Sequence, residues 1–141
     1  MLTTTTAPAE PDIKQRRARA LCTAGGAMAA ALAWIVEVPL LGIHLNFRFG
    51  AGPIQAIPIG QAIAITVAAA LLGWLLLALL ERRTRHARLL WTTIALAALA
   101  ASLALPLAVS TTTSAVAGLI VMHAIVGAVL IPAMAHTARA H

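Results

Sequence analysis

Two ionisable residues stand inside long apolar runs: Glu37 in AWIVEVPLLG and His123 in IVMHAIVGA. A charged side chain at mid-membrane costs about 2.5–3.5 kcal/mol on insertion scales, so such a residue faces other helices or a cavity rather than lipid. A carboxyl and an imidazole can hold or relay a proton, or anchor the polar group of a ligand. At about 1.5 Å per residue, Glu37 lies about 5 Å inside the outer boundary of its run and His123 about 13 Å inside. Gln61 falls near the level of Glu37, and the segment between the first two runs adds His44, Asn46 and Arg48. The glycines of GAGP, Gly50 to Pro53, allow that segment to fold back over the bundle. The expected site is therefore an outward-facing pocket of Glu37, Arg48, Gln61 and His123. A structural reading stands beside it: Glu37 neutral or bridged to Arg48, holding loop to helix, and His123 bonded to a serine or carbonyl across the helices. The residues leave both open.

Other chemistry is poorly served. His44, Glu37 and His123 are ligand types that suit zinc, but no two share a helix at ligand spacing. His86, His136 and His141 belong to the opposite side. No metal and no cofactor are expected. Cys22 is the single cysteine, so no intrachain disulfide forms. At the start of the first run it reads as a small packing residue, with palmitoylation as the alternative. The Ser/Thr turn from Ser110 to Ser114 has no adjacent base that would make a nucleophile of it, and Cys22 lies at the wrong end. No catalytic residue is assigned, and an enzyme is not expected.

The elements that must position these residues follow from composition. The 141-residue chain is 61% hydrophobic and 10% charged, with a mean hydropathy of +0.93. A soluble domain carries about 25% charged residues, so these side chains need lipid as solvent. Four apolar runs, at residues 20–41, 57–80, 89–109 and 114–135, are each near the ~20 residues that cross a hydrocarbon core. Backbone groups in lipid must be satisfied internally, which makes each run a helix. The first run is too long for a signal peptide and lacks a small-residue cleavage site, so it is read as a retained anchor. Short links make successive helices antiparallel neighbours. The predicted fold is all-α: an integral membrane four-helix bundle, up-down-up-down. Residues 1–13, rich in threonine and proline, are read as a disordered cytoplasmic tail, and 14–141 as one transmembrane domain.

Small residues mark helix contacts in lipid. Thr23, Gly26, Ala30, Ala33 and Glu37 share one face of helix one. Gln61, Ala64 and Ala68 form the expected stripe of helix two, and Ala95, Ala98 and Ser102 that of helix three. Pro39 should help end helix one, Pro106 should kink helix three, and Pro132 should bend helix four. Trp34, Trp74 and Trp91 read as interfacial anchors or bundle packing, with Trp91 the best placed for an interfacial belt.

The formal net charge is +6, yet its distribution excludes nucleic acid as a partner. Lys14, Arg16, Arg17, Arg19, Arg82, Arg83, Arg85, Arg88 and Arg139 fall on one side of the predicted topology and Arg48 alone on the other. Arg16, Arg17, Arg19, Arg82, Arg83, Arg85 and Arg88 are read as topogenic, placing both termini in the cytoplasm. The expected location is the plasma membrane.

The segment MHAIVGAVLIPAMA (Met122 to Ala135), with LLALLERRTR (Leu76 to Arg85) ending helix two and a Thr-rich turn, resembles an actinobacterial family of small four-pass proteins. That family is catalogued as domain of unknown function 6069. The resemblance covers about residues 17 to 138. It implies a four-helix membrane protein, with His123 and Pro132 as family features, and implies no activity.

Function is thus expected to be non-enzymatic: binding of a lipid or small molecule, or an accessory role in the envelope. The alternative is a small oligomeric transporter or proton/ion-conducting protein using Glu37 and His123. Expected partners are membrane lipids, with a homo-oligomer or an unidentified membrane protein as further candidates.

Overall fold

A computed structural model of the chain describes residues 11–138. The helices are α1 (Pro11–Ile35), α2 (Ile59–Arg83), α3 (Ala87–Ser102), α4 (Ala104–Val109) and α5 (Thr113–His136). Four segments are long and apolar enough to cross a membrane: Ile13–Leu40, Ile59–Arg83, Ala87–Val109 and Thr113–His136. α1 packs on α2 and α5, and α3 bridges the same two partners from the other side. Contacts near Arg19 join it to Glu81 and Thr137, whereas those near Glu37 reach Gly118. Successive crossings therefore run antiparallel, as the short links predicted. Of the predicted tail, residues 1–10 lie outside the described residues, and α1 already begins at Pro11.

Proline shapes two of the crossings. Pro39 has no N–H to give to Ile35, and its ring crowds that carbonyl. The chain answers with a wider π turn over Val36–Leu40, closed by Leu41 N–H to Val36 O at 3.0 Å and Ile43 N–H to Glu37 O at 2.8 Å. Gly42, at φ +65°, then turns the chain out of the helix in the left-handed conformation that glycine adopts without a Cβ penalty. Pro106 likewise cannot donate to Ser102, and the third crossing breaks at Leu103 into α3 and α4. Pro132 sits inside α5, which continues past it to His136. Thr112 starts α5, its Oγ1 accepting the Ala115 N–H at 3.1 Å, which satisfies one of the orphan donors of a helix start.

Glycines set the close approaches. A Cβ on Gly26 would stand 2.5 Å from Leu130, and one on Gly127 would stand 2.7 Å from Leu99. α1 and α3 thus meet α5 through leucines seated on glycines, the small-residue contact that lipid-embedded helices favour. The predicted stripe of α1 is observed, with Gly26, Ala30, Ala33 and Glu37 buried and Thr23 half-buried. The stripe predicted for α2 lies on the wrong face, one to two positions from the buried one. Gln61, Ala64 and Ala68 are exposed, and Ala62, Thr66, Ala70 and Leu77 are buried instead. Alanines lie on several faces of this helix, and Gln61 marked an exposed one, whereas the polar residue on the buried face is Thr66. In α3, Ala95 and Ser102 are half-buried and Ala98 is exposed, while Ala87 and Trp91 carry the contact.

Candidate functional site

The end of the bundle that holds Glu37 is closed by structure the helical reading missed. Residues Asn46–Phe47 (β1) and Gln55–Ala56 (β2) pair antiparallel, Asn46 with Ala56 and Phe47 with Gln55. The other edge of β1 meets the turn before α5, through Arg48 N–H to Val109 O at 2.8 Å and Thr111 N–H to Asn46 O at 3.3 Å. Leu45, just before β1, is 2% exposed and packs among Ala33, Ala62, Leu119 and Met122. Taking such a side chain out of water contributes about 2 kcal/mol, so Leu45 acts as a plug. The Trp34 indole N–H holds the exit of the hairpin to α1 by donating to Ile57 O at 2.9 Å. The loop does fold back over the bundle, as the Gly-rich GAGP segment suggested.

Beneath the plug lies Glu37, 4% exposed. Neither of its carboxyl oxygens has a hydrogen-bond partner among the described residues. A Cβ on Gly118 would stand 3.3 Å from Glu37 Oε2 and 2.9 Å from Leu45 Cδ2, so only glycine leaves room for both. Ile43 adds a third apolar neighbour to the same spot. Burying a polar group without a partner costs a few kcal/mol, and an isolated charge far more. The site therefore contains an unmet demand for a proton, a cation or a donor group.

The other predicted site residues do not meet that demand. Arg48 is exposed on the hairpin and Gln61 is exposed in the first turn of α2, and Glu37 accepts a hydrogen bond from neither. The Glu37–Arg48 bridge of the structural reading is absent. His123 is half-buried, and its Nδ1 lies 2.6 Å from Leu119 O on its own helix, not a group across the bundle. It follows Gly118 by five residues, about 140° around α5, so it does not share the face that touches Glu37. Among the described residues, no three His, Cys, Asp or Glu gather as metal ligands.

Sequence reasoning missed a second buried charge. Arg19, read only as topogenic, is 3% exposed and pairs with Glu81 at 2.6 Å. Its Nε donates to Thr137 Oγ1 at 3.1 Å, and Gln15 Nε2 donates to Glu81 Oε1 at 3.2 Å and to Thr137 O at 2.9 Å. The network ties α1, α2 and the end of α5 together. The available signal was position: Arg19 lies four residues before Thr23, on the extension of the α1 stripe. Trp91 also departs from expectation. It is buried and donates to Gly73 O at 2.8 Å, so it packs the bundle instead of lying in an interfacial belt.

Four apolar crossings around small-residue contacts, with a buried acid that lacks a hydrogen-bond partner and no assembled catalytic group among the described residues, define a multi-pass α-helical membrane protein. Residues 11–140 match the Family of unknown function (DUF6069), and the chain belongs to that family. No curated protein and no solved structure matches the chain.

Proposed function

We propose that the protein is a non-enzymatic binding protein of the plasma membrane, with both termini in the cytoplasm. Its outer half takes a lipid or small amphiphile whose polar group engages Glu37. The observation that supports this reading is the unpartnered Glu37 carboxyl. A group buried at such cost without a structural partner is one that a ligand can satisfy. The π turn around it supports the same reading, because such turns recur at functional positions. The seal above it, Leu45 with the β1–β2 hairpin, consists of loop backbone bonds, the Trp34 indole bond and one plug residue, with no helix spanning it. The one-sided distribution of arginine and lysine supports the orientation.

The test uses the purified full chain in detergent. An extract of outer-leaflet lipid should raise its thermal midpoint, and Glu37→Gln should abolish that gain while leaving the unliganded protein folded. A wild-type protein that no lipid protects sinks the reading. Proton or cation flux in liposomes, lost in Glu37→Gln, would instead select the transport alternative.

A further inference from the structure

At the opposite end of the bundle, remote from Glu37, a cleft of about 560 Å³ opens between the start of α3 and the end of α5. That volume falls within the range of ligand pockets. Its lining is basic and polar at the helix ends, with Arg85, Arg88 and His136, and turns apolar through Leu89, Ile131 and Pro132. The two arginines contrast with Arg19. Both are exposed, and neither is paired with a carboxylate among the described residues. Of the apolar part, Leu89 is 67% exposed and Pro132 is exposed, while Ile131 is half-buried against the bundle core.

Each half of this lining excludes a class of occupant. A soluble anion would meet the guanidinium groups and make no use of the apolar wall of Leu89, Ile131 and Pro132. A neutral lipid would cover the apolar wall and leave two cations unmatched. An amphiphile with an anionic head and an acyl chain satisfies both. The cleft also lies at the level where headgroups belong, since α3 enters the apolar layer directly after Arg88. The first turn of α3 has no side-chain cap, so its free N–H groups add donors for phosphate oxygens. Basic clefts between membrane helices recognise anionic headgroups in this way.

We propose that this cleft is a binding site for an anionic phospholipid, its phosphate held by Arg85 and Arg88 and one chain lying along Leu89, Ile131 and Pro132. The site is independent of Glu37.

Native mass spectrometry of the full chain in detergent, titrated with dioleoylphosphatidylglycerol, tests it. The anionic lipid should stay bound, whereas dioleoylphosphatidylcholine and soluble glycerol phosphate should not. The R85Q/R88Q variant should bind phosphatidylglycerol about 30-fold more weakly, because it removes two cations. The R82Q/R83Q variant removes the same charge from the end of α2, outside the cleft, and should stay within about threefold of wild type. Equal loss in both variants would show diffuse charge attraction and overturn the site. Equal binding of glycerol phosphate would show a free-anion site, and equal binding of phosphatidylcholine would show none for the anion. These wild-type comparisons decide the matter even if a variant fails to fold. Glu37→Gln should leave phosphatidylglycerol binding unchanged, so failure of the outer site and failure of this one are told apart.

Discussion

Arg19 and Glu37 lie on the same face of the same helix, 3% and 4% exposed, about 27 Å apart along its axis. Arg19 has a carboxylate, a hydroxyl and a carbonyl around it, whereas both Glu37 oxygens have none. Burial alone therefore says little about a charge in this bundle. The partners decide whether it is a strut or a site. The basic end spends its buried charge on joining α1, α2 and α5. The opposite end sets its carboxyl beside Leu45, Ile43 and Gly118, which offer packing and no side-chain donor.

Substitution should expose that difference as a change of sign. The largest effect is expected for Arg19→Ala, which removes the buried cation that Glu81, Thr137 and Gln15 gather around and should cost about 3–5 kcal/mol, read by denaturant titration in mixed micelles. Adding Glu81→Leu to Arg19→Met should recover most of the loss. A loss below about 1 kcal/mol would make the two ends alike. Glu37→Met should act in the opposite direction, stabilising the protein by about 1–3 kcal/mol as an unsatisfied polar group gives way to an apolar one. Destabilisation on the scale of Arg19→Ala would mean that Glu37 is a strut after all.

The smallest effects should come from the two indole bonds. Trp91→Phe and Trp34→Phe should each cost about 1 kcal/mol or less. They differ in where the loss is felt. Trp34→Phe should also speed hydrogen exchange at Leu45 and Ile57, because it frees the hairpin that covers Glu37, while Trp91→Phe should leave those amides unchanged. Identical exchange in the two variants would show that the seal over Glu37 does not depend on Trp34.

Much of this is legible in the sequence. The lengths of the apolar runs, the turn at Thr112 and the effects of Pro39 and Pro106 rest on local rules of backbone hydrogen bonding. The stripe of α1 was legible because Glu37 marks it. The stripe of α2 was not, since alanines on several faces make neighbouring registers equivalent. The β1–β2 hairpin escaped notice because its strands are two residues long, too short for alternation to show.

The sequence by itself determined four crossings, their antiparallel order and the presence of a buried acid, because the cost of bare backbone and bare charge in lipid admits few solutions. Only the tertiary structure decided who meets whom: Arg19 with Glu81, Leu45 over Glu37, Gly118 against both, and no donor at the carboxyl. Those pairings depend on helix rotation and on a loop's path. Lipid imposes neither, because it solvates every apolar face of a helix almost equally.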